Sequence, residues 1–431
     1  MCEGKRVLLK FPFGKGFLQT DVREELLEVV SSRSLKPIEG LDEAIQQSLR
    51  VPIQSKPIRS WGKNKRVCVI VPDNTRACPT NIILPLVLKE IEHCHPKELN
   101  VIVGNGLHPS LSRTEMIEFL GANTVDEYDV TNHVATDDKQ LVNFEKKTSY
   151  GTPVIVNKTV AKSDHVIGIG LVEPHFFAGY SGGRKTVLPS VAGKQAIFNN
   201  HSFKMLSHPN ADYGVLNGNP IHQDMMEFMK FVNLSFIVNA VINHNGEVSQ
   251  IFAGDAVEAH EQATRFLHRC VSVRPSSYAD IVMVSNGGYP LDRNLYQSVK
   301  GLATAKRVVR RGGVIIMITE CRDGLGSHEE FKELIKNTET PQEVLKTIRE
   351  GEPIKDQWEA QILAEVLDRA KVILVTLDEN SKLAREMKME PVSTIRNALD
   401  LARKILNDIR KPRIVAIPEG PYVIPSLIES A

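Results

Sequence analysis

The chain has 431 residues, which is too long for a protein that folds around one ordinary hydrophobic core. This length therefore predicts two domains. Hydrophobic residues make up 42% of it and charged residues 24%, as in soluble globular proteins. The 53 basic and 52 acidic residues give a net charge of +1, which argues against a nucleic-acid partner and against a basic membrane-binding surface. Lysines interrupt the apolar residues at the N-terminus, so we expect no signal peptide and no membrane partner. The six cysteines are scattered, so we expect reduced thiols in a cytoplasmic protein.

Short β-branched runs alternate with helical patterns in the first part of the chain. This alternation is typical of the α/β class, in which a mostly parallel sheet is flanked by helices. The pattern predicts a helix at residues 80–93 and strands at 66–71, 99–103, 154–156, 165–169 and 235–242.

A second series of strands and helices follows an amphipathic helix at 254–269 and a linker at 271–277. It predicts a doubly wound C-terminal α/β domain over residues 278–400. The N-terminal domain is then expected to span residues 1–270 and to be completed by residues 411–431. The elements predicted in the second series are strands at 280–285, 313–318 and 372–376 and helices at 294–310 and 392–406.

Loops rich in glycine and polar residues follow several predicted strands. Ligands of open α/β sheets bind at the carboxyl ends of strands. We therefore expect these loops to form an active site in a cleft between the two domains. The loops are residues 73–80, 104–109, 173–185 and 287–290.

Residues 173–185, EPHFFAGYSGGRK, combine an imidazole, a hydroxyl, a glycine-rich turn and two cations. Backbone N–H groups in such a turn can form an anion-binding concavity, and Arg184 and Lys185 add positive charge. The segment predicts a phosphate or carboxylate site, with His175 close enough for acid–base chemistry.

Two common nucleotide-binding signatures are absent. Arg184 stands where a P-loop requires glycine, and Pro189 follows too soon for a regular helix. The Gly-x-Gly pairs at 104–106 and 168–170 lack the third glycine of a dinucleotide fingerprint. Ordinary ATP or NAD binding is therefore disfavoured.

Three histidines belong to or follow these segments, and the residues alone leave the function of each open. His108, in a Gly-x-Gly-x-His-Pro turn, is either functional or part of a loop. His175 is either an acid–base group or a buried structural histidine. His201, after two asparagines, is either a ligand or a loop residue.

Motifs spread over essentially the whole chain occur in the order and approximate spacing of one known family. The central motif is long and unusual, so chance is a poor explanation. The chain resembles the nickel-dependent lactate racemase family. The motifs are Asp73-Asn-Thr-Arg76, Gly106-x-His108, EPHFFAGYSGGRK, Asn200-His201-Ser202, Gly288-Tyr-Pro-Leu-Asp, Tyr296-Gln297-x-x-Lys300 and Asp323-Gly-x-Gly326.

The resemblance implies a nickel-pincer nucleotide, a pyridinium-3-thioamide-5-thiocarboxylic acid mononucleotide that holds Ni(II) through two sulfurs and a ring carbon. Lys185 matches the lysine that tethers it, and His201 matches the histidine ligand of nickel. Sulfur and imidazole donors suit Ni(II) in a square-planar site. Maturation implies cofactor-synthesis enzymes as partners. The other residues expected to bind the nucleotide are Asp73, Arg76, Ser181, Gly182 and Gly183.

The implied reaction is racemisation or epimerisation of a 2-hydroxy acid, lactate or a relative, by reversible hydride transfer through a 2-keto acid. His108 and His175 match the proton-transferring pair, because an imidazole with a pKa near ~6.5 can take and give a proton. Arg76 matches a residue that binds the substrate carboxylate. The alternative is that its side chain only forms a salt bridge with Asp73. The residues expected to bind substrate from the second domain are Tyr296, Gln297 and Lys300.

Some residues differ from the family pattern, and two other functions stay open. Ala77-Cys78 stands where some relatives have Pro-Thr, so the resemblance supports the reaction type more firmly than lactate itself. A carrier protein would hold the nickel nucleotide or an anionic metabolite without turnover. A zinc hydrolase would use His108, His175 and His201 as ligands, although no H-E-x-x-H motif supports it.

Overall fold

The computed structural model describes residues 5–407 and 409–427. The chain divides into two compact units. Ser34–Cys270 form one, here called the central unit, and the residues before and after them form the other, the terminal unit. Each unit has a six-stranded sheet with helices packed against it. The predicted α/β class is confirmed.

The strands of the two large sheets are mostly apolar, as expected where helices cover both faces of a sheet. The run Arg66–Pro72, for example, has five consecutive buried residues. In chain order the strands are β1 Arg6–Phe13, β2 Gly16–Arg23, β3 Leu27–Val29, β4 Arg66–Pro72, β5 Glu98–Gly104, β6 Asp129–Asn132, β7 Leu141–Lys147, β8 Pro153–Asn157, β9 His165–Leu171, β10 Pro174–His175, β11 Gly179–Tyr180, β12 Leu234–Ile242, β13 Val248–Gly254, β14 Ser272–Val273, β15 Ala279–Ser285, β16 Val309–Ile318, β17 Ala370–Val375, β18 Glu390–Val392, β19 Ile414–Ile417 and β20 Ile424–Pro425.

Side-chain caps mark the start of several helices. Ser112 and Glu115 form a capping box at one of them, and Asn294 accepts a hydrogen bond from the backbone N–H of Gln297 at another. In chain order the helices are α1 Leu41–Arg50, α2 Thr80–Glu92, α3 Arg113–Leu120, α4 Ala122–Glu127, α5 Lys158–Lys162, α6 Lys194–Asn200, α7 Phe203–Leu206, α8 Pro220–Met229, α9 Glu258–Val271, α10 Leu295–Lys306, α11 Glu329–Lys336, α12 Pro341–Glu350, α13 Gln357–Arg369, α14 Ser381–Glu386 and α15 Ile395–Ile405.

The sheet of the central unit has the strand order β13-β12-β9-β4-β5-β6. All neighbouring pairs are parallel except β12 with β13. The chain enters at β4, continues to β5 and β6 on one side, and later adds β9 and β12 on the other. The strand order therefore reverses between β4 and β9, and ligands of open α/β sheets bind at the carboxyl ends of strands beside such a reversal.

The sheet of the terminal unit has the order β18-β17-β16-β15-β19-β3, with every neighbouring pair parallel. The hairpin of β1 and β2 belongs to the same unit. Its buried Leu9, Phe11 and Val22 share a hydrophobic cluster with Ile281 and Ile316 of the sheet. This shared core explains why the hairpin packs in the same unit as strands that come more than 250 residues later in the chain.

The expected domain boundaries are wrong at both ends. Residues 411–431 were expected to complete the N-terminal domain, but β19 lies between β15 and β3 in the terminal unit. Residues 428–431 of that range lie outside the described residues. The hairpin and β3 also belong to that unit, so the central unit begins at Ser34 rather than at residue 1. A buried apolar strand such as β19 must satisfy its backbone hydrogen bonds on both sides, and these two neighbours provide them.

Candidate active site

The reversal of strand order in the central unit collects the motif-bearing loops. Asp73 and Arg76 follow β4, His108 follows β5, and Glu173 and His175 follow β9. Since β9, β4 and β5 are parallel neighbours, their carboxyl ends lie at one edge of the sheet. Three of the predicted segments therefore meet there.

Asp73 and His108 form a hydrogen-bonded pair at this edge. Nδ1 of His108 lies 2.6 Å from Oδ2 of Asp73, whose side chain is only 5% exposed. Burial alone would raise the pKa of Asp73, but His108, Arg76 and Thr75 outweigh it and lower that pKa to about 2. The ionised carboxylate accepts from Nδ1–H and leaves Nε2 to exchange a proton. The pair is thus an oriented acid–base group.

Arg76 lies beside Glu173. A salt bridge with Asp73 was the predicted alternative to substrate binding, and among the described residues the ion pair of Arg76 is with Glu173 instead. Its Nη1 is 3.7 Å from Oε1 of Glu173, a distance too long for a hydrogen bond. The arginine side chain is 32% exposed. A guanidinium in such a loose ion pair can bind an incoming carboxylate through two parallel hydrogen bonds.

The ring of Phe177 is the common neighbour of three predicted site residues. The imidazole of His175 lies edge-on at 4.4 Å between ring centroids, and that of His201 at 5.0 Å. Nζ of Lys185 lies 5.6 Å from the ring centroid. All three side chains are buried. The structure therefore groups the predicted tether, the predicted metal ligand and one predicted acid–base group.

His175 is placed to handle the proton of Lys185. Its Nε2 lies 3.2 Å from Nζ of Lys185, and its Nδ1 lies 3.3 Å from the backbone N of Ala178. Its ring also stacks on Phe176. A lysine ammonium must lose a proton before it can act as a nucleophile, and an imidazole in contact with it can accept that proton.

His201 follows α6 in the chain and is suited to bind a metal. Burial and the charge of Lys185 hold its pKa well below the usual value, and the neutral imidazole is the form that binds metals. The neighbouring Asn200 donates a hydrogen bond of 2.7 Å to buried Asp224, which fixes the end of the helix.

Over the described ranges, no group of three or more His, Cys, Asp or Glu side chains is arranged to hold a metal ion. A zinc site built from His108, His175 and His201 therefore gains no support. A metal bound at His201 would therefore need donors besides His, Cys, Asp and Glu side chains of the described residues, such as those of a bound molecule.

Hydrogen-bond donors of the glycine-rich turn are paired with other atoms of the protein. The hydroxyl of Ser181 donates to the carbonyl of Leu171 at 2.9 Å, and the backbone N–H of Gly183 donates to Asn239 at 3.0 Å. A Cβ on Gly182, whose φ is +76°, would lie 2.7 Å from the amide oxygen of Asn239. Close packing against Asn239 therefore explains why glycine stands at position 182, and the donors of Ser181 and Gly183 are engaged within the protein.

Arg184 supports the turn from within and does not add charge to an anion site. It is 1% exposed, and its guanidinium donates to the carbonyls of Ala178 and Gly182 at 2.6 and 3.3 Å. Burial lowers its pKa to about 9. The sequence indicates a positively charged side chain at position 184, but it does not indicate that this side chain is buried.

We expect Arg184→Met to lower the free energy of unfolding by about 2–4 kcal/mol, because two buried carbonyls lose their donor. Urea unfolding followed by circular dichroism measures this change. Lys194→Met is the matched control, since Lys194 is exposed and its loss should cost no more than about 0.5 kcal/mol. Equal stability of the two variants would contradict a supporting function for Arg184.

Tyr296, Gln297 and Lys300 lie in the first two turns of α10, in the terminal unit. Gln297 and Lys300 are half-buried. Tyr296 is buried, and its hydroxyl donates to Asp356 at 3.2 Å and accepts from Nε1 of Trp358 at 3.2 Å. The tyrosine hydroxyl is thus already engaged within its own unit.

Comparison with known proteins identifies the family of the chain. Residues 13–214 match the family model for the lactate racemase N-terminal domain, and residues 274–425 match that for the lactate racemase C-terminal domain. The chain belongs to the lactate racemase family. It is therefore an isomerase of the racemase class.

Individual relatives agree with this assignment to the lactate racemase family. A lactate racemase from Thermoanaerobacterium thermosaccharolyticum is 36% identical over 424 residues, which cover 96% of this chain and 98% of that protein. One from Lactiplantibacillus plantarum is 35% identical over 387 residues, 89% of this chain and 90% of that protein. The lactate racemase apoprotein structure from T. thermosaccharolyticum matches with a TM-score of 0.92 and 34% identity, covering 97% of this chain and all of that one. A protein from Thermotoga maritima, at 19% identity and a TM-score of 0.68, shares the fold.

Two contacts in this lactate racemase family member were not predicted from the sequence. Asp73 was expected to bind the nucleotide, and its hydrogen bond to His108 was not predicted. The available signal was that Asp73 and His108 follow β4 and β5, which are neighbouring strands. Glu173, beside Arg76, had no signal beyond its place in the motif. In the part of the chain that the structure describes, no helix has both the length and the apolar character needed to span a membrane.

Proposed function

We propose that this chain racemises a 2-hydroxy acid, lactate or a close relative, with a nickel-pincer nucleotide tethered to Lys185. The observation that carries the proposal is the grouping of Lys185, His175 and His201 around Phe177, in the unit whose sheet edge also bears the Asp73–His108 pair. The relatives named lactate racemase support the reaction.

The donor set fits such a cofactor. Lys185 supplies an amine for a covalent tether, with His175 in contact to accept its proton. His201 supplies one neutral nitrogen, which leaves the remaining metal donors to the nucleotide. When bound, the group would supply Ni(II) and exchange a hydride with C2 of the substrate. Arg76 and Asp73 are the remaining proposed nucleotide contacts, since Ser181 and Gly183 direct their donors inward.

The protein side chains would supply binding and proton transfer. Arg76 would bind the substrate carboxylate, because its ion pair with Glu173 is loose and its guanidinium is partly exposed. His108, oriented by Asp73, would take the hydroxyl proton of one enantiomer, and His175 that of the other. Phe176 and Phe177, both buried, would keep water away from the reacting carbon.

A racemisation assay tests the proposal. The full chain, produced together with cofactor-synthesis enzymes and nickel, is incubated with pure L- or D-lactate, and chiral chromatography follows the products. We expect both reactions to reach equal amounts of the two enantiomers. A panel of larger 2-hydroxy acids then identifies the preferred substrate. A Lys185 adduct with no inversion of any of these acids would contradict the proposal and favour the carrier alternative.

A further inference from the structure

The carboxylate of Asp224, on α8 of the central unit, is buried among neutral hydrogen-bond donors. Its Oδ1 accepts from the hydroxyl of Thr148 at 2.6 Å. Its Oδ2 accepts from the hydroxyl of Thr152 at 2.6 Å and from the side-chain amide of Asn200 at 2.7 Å. We call these four buried residues the Asp224 cluster. Burial raises the pKa of Asp224, although the three hydrogen bonds oppose this effect. A carboxylate in such a position depends on its donors, and it joins three separate segments of the chain.

The cluster holds the side chains of the last two residues of α6. Asn200 donates to Asp224, and Asn199 donates to Oγ1 of Thr152 at 2.6 Å. The helix has only seven residues, and the ends of short helices fray unless tertiary contacts hold them. These contacts therefore fix the place where α6 ends and the chain continues into His201.

His201 is held both at its backbone and at its ring. Its backbone N–H donates to the carbonyl of Ile197 at 2.9 Å, and its imidazole lies edge-on to Phe177 at 5.0 Å between ring centroids. A histidine that binds a metal must keep its ring in one orientation, and the residues behind the ligand provide that orientation. Because the Asp224 cluster holds the residue immediately before His201, a shift of that residue would move the imidazole.

We propose that Asp224 is a positioning residue for the metal ligand His201, and that it acts through Asn200. The carboxylate fixes the Asn200 amide, and this contact sets the place of the His201 imidazole toward a bound metal. The inference rests on the proposed function for the identity of that metal, nickel held by the tethered nucleotide. It gives a function to a side chain of α8, a helix that carries none of the motifs that predicted the site.

Nickel retention tests this inference without turnover. The full chain with Asp224→Asn is produced together with the cofactor-synthesis enzymes and nickel, and excess EDTA is then added. Elemental mass spectrometry after gel filtration measures the nickel that stays with the protein over time. Asparagine keeps the size of the side chain but replaces one acceptor oxygen with an amide donor. We expect nickel to be lost about tenfold faster or more than from the wild type, as for other residues that orient a metal ligand. Intact mass should show the same Lys185 adduct in both proteins.

Two further variants separate positioning from a general loss of structure. Glu227 lies one turn after Asp224 on α8 and accepts from the backbone N–H and the hydroxyl of Ser149 at 2.7 and 2.6 Å. Glu227→Gln therefore disturbs the same loop without touching Asn200, and it should speed nickel loss no more than about twofold. Asn200→Ala removes the proposed contact from its other side and should match Asp224→Asn, and the double variant should lose nickel no faster than either single one. Circular dichroism checks the fold of each variant, and Asn200→Ala provides the test if Asp224→Asn does not fold.

Nickel loss at the wild-type rate from the variants at Asp224 and Asn200, or an equally fast loss from Glu227→Gln, would overturn the inference. Additive effects in the double variant would also overturn it. Failure of the proposed function is a separate outcome. A wild-type chain that carries no nickel would contradict the proposed cofactor and this inference together. A wild-type chain that keeps nickel through Asp224 but does not racemise lactate or its relatives would contradict the proposed reaction and support this inference.

Discussion

Replacing Asp73 with asparagine should lower kcat for racemisation by up to about 10⁴-fold, the loss seen when asparagine replaces the carboxylate behind the catalytic histidine of a serine protease. The carboxylate accepts from Nδ1–H of His108 and so keeps Nε2 as the base. An asparagine amide can instead donate to Nδ1, which moves the ring hydrogen to Nε2 and removes the base. Steady-state kinetics from both enantiomers measure kcat and KM.

Asp126→Asn is the matched control for this change. Asp126 is exposed and its only described ion pair is with Arg113, so its kinetics should equal those of the wild type. Intact mass must show that Asp73→Asn still carries the cofactor, so that lost activity is not lost loading. A kcat within about threefold of the wild-type value would show that the Asp73–His108 pair does not serve proton transfer.

The second large effect is expected at Lys185. Lys185→Arg should abolish both the covalent adduct and racemisation, to below about 10⁻⁴ of wild-type kcat. Arginine keeps the positive charge of Lys185, but its guanidinium is always protonated and is not a nucleophile. Intact mass measures the adduct, and peptide mapping assigns it to a residue.

Lys194→Arg, at an exposed lysine near the same segment, should load and racemise as the wild type does. His175→Ala should slow adduct formation, because the imidazole next to Nζ can no longer accept its proton. An adduct on another residue, or full activity in Lys185→Arg, would contradict the assignment of Lys185 as the tether.

The fold could be predicted in part because local patterns decide its buried strands. Strands such as β4 and β9 are continuous apolar runs, and only a sheet covered on both faces accommodates them. The placement of β19 and of the first hairpin could not be predicted in the same way. Their partners lie far away in the chain, and their local pattern fits either sheet equally well.

For the candidate site as well, the sequence predicts which residues are involved but not how they pack. The motifs indicate which side chains carry chemistry, and His175, Lys185 and His201 do meet around one ring. Burial, however, depends on tertiary packing. Arg184, next to Lys185 in the chain, is a buried support whose guanidinium binds backbone carbonyls. These two neighbouring cations thus make different contacts: Arg184 donates to backbone carbonyls, whereas Lys185 lies against His175 and Phe177.

L-lactate deuterated at C2 provides the most direct test of the central claim. The cofactor-loaded chain is incubated with it in ordinary water, and the D-lactate formed is isolated by chiral chromatography for mass spectrometry. Hydride transfer in a site that excludes water predicts that D-lactate forms and keeps its deuterium at C2. D-lactate that carries solvent hydrogen at C2, or no D-lactate at all, would contradict the account.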